Sequence, residues 1–143
     1  ATLQDVTTLV KLRKAQLIDA GRDPNRNIDK ELTDYFVKDL EEGTIIEFLA
    51  TEQGNVVGSA ALILQIFPPN FPYPTGKVGY ICNVYTKPDF RGKGISTILV
   101  KQLIEEAKLL QLEKLWLLSS SMGKSVYPKL GFHQPGNYFE MDL

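Results

Sequence analysis

The chain has almost none of the residues that build metal and redox centres. It carries one cysteine, Cys82, and one histidine, His133. A single cysteine excludes an internal disulfide and suits a reducing compartment, so a cytoplasmic location is expected. One His and one Cys cannot assemble a familiar zinc site, and no metal is expected. A basic surplus is missing too: 16 Lys and Arg stand against 17 Asp and Glu. Nucleic-acid binders are usually basic, so nucleic acid is not an expected partner. Nor is there an apolar run of membrane length. The longest stretch, Val56 to Phe67, is interrupted by Gly58, Ser59 and Gln65. It falls well short of the roughly 20 residues a helix needs to cross a bilayer. No basic-then-apolar signal segment is visible, and no membrane partner is expected.

What is there is an ordinary balance, 43% hydrophobic and 23% charged over 143 residues. That is enough for one domain, residues 1–143, with a real core. Gln4 to Ala20 reads as a helix, with Leu9, Leu12, Leu17 and Ile18 near one face, Thr2 as N-cap and Gly21 as the stop. A second helix, Asp29 to Glu42, carries Leu32, Tyr35, Phe36 and Leu40 and closes at Gly43. Thr44 to Glu52 and Asn55 to Phe67 read as strands joined at Gln53-Gly54-Asn55, a hairpin signal. Pro68 to Gly76 holds four prolines and must be irregular. Lys77 to Thr86 is a strand. After it comes a helix ending near Leu110, with Ile95, Ile98, Leu99, Leu103, Ala107 and Leu110 inward and Lys101, Glu105 and Lys108 outward. Glu113 to Ser119 reads as a strand, Gly123 to Leu130 as a short helix, and Phe132 to Leu143 as the last strand or strands. This order predicts an α/β (α+β) domain: a mixed sheet with helices on both faces.

The most informative segment joins the third strand to its helix: Val84-Tyr85-Thr86-Lys87-Pro88-Asp89-Phe90-Arg91-Gly92-Lys93-Gly94-Ile95-Ser96. A strand, a glycine turn and a helix start direct free backbone N–H groups and a positive helix end at one spot. A phosphate or pyrophosphate belongs there. Gly92 and Gly94 let it approach the backbone, and Arg91 and Lys93 add charge. Three ligand classes use such a turn. A nucleoside-triphosphate loop requires Gly-Lys-Ser/Thr, which occurs nowhere. A dinucleotide fingerprint requires a third glycine where Thr97 stands. The third class is the acyl-coenzyme A loop.

There the chain resembles the GNAT superfamily of N-acetyltransferases. That family's pyrophosphate loop reads [Gln/Arg]-x-x-Gly-x-[Gly/Ala]. Arg91, Gly94 and Ser96 fill the specified places, with Ser96 a small-residue departure. Tyr127-Pro128-Lys129-Leu130-Gly131-Phe132 is similar to the family's Tyr-x-Lys-x-Gly-Phe. The resemblance implies a mostly antiparallel sheet splayed at the strand before the loop. It also implies acetyl-CoA as co-substrate and a primary amine as acceptor, either a small molecule or a peptide. Relatives often dimerise, so a homodimer is a possible assembly. The family fold normally begins with a strand before the first helix; here that strand is expected to be absent or a stub.

The resemblance also assigns roles. Residues 91–96 (Arg91, Gly92, Lys93, Gly94, Ile95, Ser96) would hold the diphosphate, and the strand edge Val84, Tyr85 and Thr86 would pair with the pantetheine arm. Ser121 stands where relatives often place an Asn that contacts that arm. Tyr127 would protonate the departing thiolate, a fitting task for a phenol with an ordinary pKa near 10. The base is open. Many relatives place a carboxylate on the strand before the loop, where this chain has Cys82 and Asn83. Glu47, Glu140, His133 and water are the candidates. Glu47 lies between Ile46 and Phe48, where burial would raise its pKa. Phe67, Phe71 and Tyr73, stiffened by neighbouring prolines, could wall an acceptor pocket. Residues 19–42 hold more acids than bases and mildly favour a cationic acceptor. A non-catalytic acyl-CoA-binding or sensor domain is the alternative function.

Overall fold

The structure, a computed structural model, describes all residues from Ala1 to Leu143. Its regular elements are α1 (Val6–Asp19), α2 (Asp29–Glu42), β1 (Ile45–Glu52), β2 (Asn55–Ile66), β3 (Lys77–Thr86), α3 (Ile95–Leu109), β4 (Lys114–Leu117) and α4 (Val126–Lys129). Single 3-10 turns at Leu3–Asp5 and Pro88–Phe90 precede α1 and α3. The four strands form one sheet in the order β1-β2-β3-β4. The first three are mutually antiparallel and β4 lies parallel to β3. The expected mixed, mostly antiparallel sheet is therefore present.

Alternation along β2 sorts the core into two layers. Ala60 and Leu62 meet Leu99, Val100, Leu103 and Ala107 of α3 on one face. Ala61, on the other, meets Val6, Leu9, Val10, Phe36 and Ile45. α1 and α2 thus cover one face and α3 the other. The β1–β2 hairpin turns at Gln53 and Gly54, both with positive φ (50° and 79°), as a two-residue primed turn requires.

Several boundaries and faces differ from the sequence expectation. Thr2 caps the 3-10 turn rather than α1 itself, in a reciprocal box with Asp5. Ala1 N donates to the Glu47 carbonyl. Ile18 and Ile98 are 50% and 56% exposed. Val10 and Val100 take buried places instead, because each helix rotates to fit the sheet it covers. Tyr35 is exposed and sets its ring edge-on to buried Phe36. Trp116 is only part-buried; its indole donates to Gln65 and its ring lies against Tyr80. β4 is shorter than expected.

The largest correction concerns residues 132–143, which form no strand. Pro135 cannot donate to a ladder, and apolar alternation makes a strand only where a neighbouring edge accepts it. Phe139, Met141 and Leu143 accordingly stand exposed.

The proline-rich segment is irregular, as expected, and one side chain anchors it. The Glu113 carboxylate accepts from the backbone N–H groups of Thr75 and Gly76 at 3.1 to 3.2 Å. Glu113→Ala is expected to lower unfolding free energy by about 1.5–3 kcal/mol, the scale of a hydrogen bond to a charged acceptor. Urea denaturation checks this, with an unchanged midpoint as the contrary result.

Candidate active site

The site begins with a misfit in the sheet. Ser59 of β2 pairs with Tyr85, and Ala61 with Cys82, so β3 carries one residue too many. The bulge falls at Asn83, whose φ is +53°, a conformation Asn tolerates better than most residues. It resets the alternation: Ile81 and Val84 both face α3, while Cys82 faces α1 and α2. Pairing with β4 ends at Ile81–Leu117. Beyond that pair the sheet opens, and residues 82–86 of β3 have no strand on that side. This is the expected splay, and a bulge is its physical cause.

A cleft of about 340 Å³ occupies the opening. It brings together Val84, Tyr85, Thr86, Arg91, Gly92, Gly94, Ile95, Ser96 and Tyr127. Lys93 and Ser121 do not line it. Lys93 turns aside to the ring of Phe90 and to Glu52, 3.8 Å away. Ser120, not Ser121, borders the cleft. Both serines lie past the end of β4 at Leu117, where strand alternation no longer sets which side chain points inward. Phe67, Phe71 and Tyr73 are also absent from its walls. Phe71 is fully exposed, and Tyr73 lies beneath Lys114 elsewhere on the surface.

The turn itself is an unfilled donor array. Gly94 caps α3 with φ +76° and offers no side chain to the helix end. Gly92 also has positive φ, +78°. The backbone N–H groups of residues 92–97 find no acceptor within the chain; the first intrahelical bond is Ile98 N to Gly94 O. Six successive donors at the positive end of a 15-residue helix form an anion cradle. The Ser96 hydroxyl bonds to Thr86 Oγ1 at 2.8 Å and ties the helix start to the end of β3. Arg91 is held by Thr86 O at 2.9 Å, by Asp19 and by the face of Tyr85.

Asp19, Gln16 and Ala20 line the cleft from α1, and none was legible as a site residue in the sequence. Gln16 Nε2 donates to the Val84 carbonyl at 3.2 Å, so α1 touches the splayed strand beside the bulge. A polar Gln one turn from an otherwise apolar helix face was the available signal. Of the acids in residues 19–42, only Asp19 borders the cleft, where it is paired with Arg91.

Tyr127 enters from α4, set edge-on against Phe132. Burial raises its pKa above the ordinary phenol value, so the hydroxyl remains a donor at neutral pH. Among the carboxylates, Glu47 stands apart. It is 2% exposed, in the cross-strand row Glu47–Ala61–Cys82. The Asn83 amide donates to it at 3.4 Å, and the Asn83 carbonyl accepts from Ser59 at 3.1 Å. Burial pushes the Glu47 carboxyl up to about 7, against the pull of the Asn83 amide. None of Glu47, His133 and Glu140 lines the cleft; His133 and Glu140 are exposed as well, and Glu140 accepts from Tyr138. Burial pushes the Cys82 thiol up to about 12, which suppresses the thiolate that nucleophilic catalysis requires. No helix is long and apolar enough to cross a membrane.

Fold and cleft together are those of an acyl-CoA-dependent transferase domain. The acetyltransferase (GNAT) family model matches residues 9–132, and the chain belongs to that family. It is similar over 99% of its length to a predicted acetyltransferase from Clostridium acetobutylicum, crystallised with acetyl-CoA, at 41% identity, 92% coverage of that chain and a TM-score of 0.96. A GCN5-related N-acetyltransferase from Ralstonia eutropha JMP134 shares the fold at 23% identity, 100% and 95% coverage and a TM-score of 0.93. A glucosamine 6-phosphate N-acetyltransferase of Trypanosoma brucei brucei is 34% identical over 90 residues, which span 63% of this chain and 59% of that protein.

Proposed function

We propose that residues 1–143 act as an acetyl-CoA-dependent N-acetyltransferase domain that moves an acetyl group to a primary amine by direct attack. The observation that carries this reading is the row of six unpartnered N–H groups at residues 92–97, opening onto a cleft that also holds Tyr127. A diphosphate takes up those donors. The free edge of β3 over residues 84–86 accepts the pantetheine amides in the manner of an added strand. The amine attacks the thioester carbonyl, the C–S bond breaks and a C–N bond forms. Tyr127 gives its proton to the departing sulfur, and Glu47 takes the proton of the amine through an intervening water. The relative named for glucosamine 6-phosphate supports a small-molecule amine as acceptor. Isothermal titration with acetyl-CoA, followed by thiol release over an amine panel, tests the reading. Donor binding without turnover would favour a sensor domain.

Glu47 gives this reading a pH signature. The base works ionised, so turnover is expected to rise through about pH 7 and then level off. Glu47→Gln should flatten that rise and cost roughly tenfold at pH 8. Stability runs the other way. An unfolded glutamate titrates near its ordinary 4.5 and the folded one near 7. The protonated, buried carboxyl therefore contributes stability fully below pH 4.5; this is lost as pH rises towards 7 and changes no further above it. Urea midpoints at pH 5 and pH 8 should converge in Glu47→Gln. A wild-type pH–rate profile flat from 6 to 8 would remove Glu47 as the base.

A further inference from the structure

The face of α1 that touches β3 is a ruler that starts at the cleft, which Asp19 and Gln16 line, and runs past the bulge to Arg13, which lies outside that lining. Asp19 reaches Arg91 at the phosphate turn, and Gln16 reaches Val84 at the bulge. Arg13 lies one turn further from the phosphates, about 9 Å along the helix from Asp19. Its Nη1 donates to Gln16 Oε1 at 2.7 Å. Its charge opposes the effect of burial on Glu47, Cys82 and Tyr80, which sets the guanidinium near β3 on the far side of the bulge. Arg13 is also unusual among the cations. Of the 16 Lys and Arg, only Arg13 and Lys14 are part-buried, and Lys14 pairs with Asp29. Arg13 has no carboxylate within 4.0 Å. A guanidinium carries five donors in a planar fork suited to carboxylate or phosphate. Here the only protein acceptor bonded to that fork is a neutral amide. A half-buried cation with so few partners is costly unless something anionic completes it.

We propose that Arg13 binds an anionic group on the acceptor, so that the substrate is a primary amine bearing a carboxylate or phosphate. This rests on the acetyltransferase reading above. The donor's phosphates lie at the opposite end of the ruler, so Arg13 is left for the second substrate. With its anion on Arg13, the acceptor's amine extends towards the bulge, where Asn83 and Glu47 meet. Recognition by Arg13 does not compete with donor binding at residues 92–97.

The test uses matched acceptors on the whole chain. Ethanolamine, O-phosphoethanolamine and β-alanine are compared by thiol release from acetyl-CoA, with calorimetric binding of the two anionic amines to the CoA-loaded protein alongside. At least one anionic amine should exceed ethanolamine by tenfold or more in kcat/KM or in affinity; which of the two does so separates phosphate from carboxylate. Arg13→Gln should abolish that preference, mostly through KM, and Arg13→Lys should restore part of it. Acetyl-CoA affinity should be unchanged in both variants. Ethanolamine favoured over both anionic amines, or neither turnover nor Arg13-dependent binding of either one, overturns the inference. A wild-type protein that fails to bind acetyl-CoA overturns the underlying reading instead.

Discussion

Gly94→Val is expected to weaken acetyl-CoA binding by about 100-fold while leaving the domain folded. A Cβ at Gly94 would meet no atom within 4 Å, so the cost is not a clash with the protein. It is conformational: φ is +76°, and a β-branched residue in that region is strained by about 1–3 kcal/mol. The exposed turn relieves the strain by rotating, and its N–H groups cease to converge. Each hydrogen bond to a charged group contributes about 1.5–3 kcal/mol, so the loss of one or two accounts for the expected factor. The added side chain also occupies the space a diphosphate would use. Gly94→Asn separates these causes, because Asn tolerates positive φ yet fills the same space. Isothermal titration of all three proteins reads the outcome. Wild-type affinity in Gly94→Val would show that the turn does not hold the donor. Equal losses in Val and Asn would assign the effect to space alone.

Tyr127→Phe is expected to lower kcat by roughly 10- to 100-fold with donor affinity nearly unchanged, within the usual range for an acid–base group. The substitution removes one oxygen and keeps the ring, so the edge-on packing with Phe132 and the wall of the cleft survive. On the proposed mechanism, what disappears is the proton for the departing sulfur. Burial raises the pKa of Tyr127, so the hydroxyl holds its proton throughout the neutral range and adds no second limb to the pH profile. The loss should shrink with a thioester whose thiol is more acidic, since such a leaving group needs less help. Unchanged turnover in Tyr127→Phe would take the residue out of the mechanism.

The parts of the site that were legible in advance are local in the chain. The turn from Arg91 to Ser96 declares itself because glycine spacing, strand end and helix start lie within a dozen residues, and backbone chemistry over so short a span needs little from the rest of the fold. Tyr127 was legible through its neighbours Lys129, Gly131 and Phe132. The side chains of Lys93 and Ser121 do not line the cleft for the matching reason: composition marks a turn as basic or polar, but side-chain direction depends on a rotation that tertiary packing sets, while the backbone N–H of Lys93 stays among the free donors. The tail after Phe132 has the alternation of a strand and forms none, because pairing needs a partner edge and alternation cannot supply one.

The sequence by itself carried the family resemblance in its short motifs, and the sheet with helices on both faces and the glycine turn in its periodicity and spacing. Tertiary structure alone decided the rest of the chemistry. Glu47 became a buried carboxyl with a shifted pKa only when β1 was covered by α1 and α2. Gln16 came to border the cleft, with Arg13 bonded to it, only when α1 lay along the bulged strand. Glu47 lies 36 positions from Asn83 and Gln16 lies 68 from Val84, and what sets their environment is loss of water and proximity, which exist only once the sheet has closed beneath its helices.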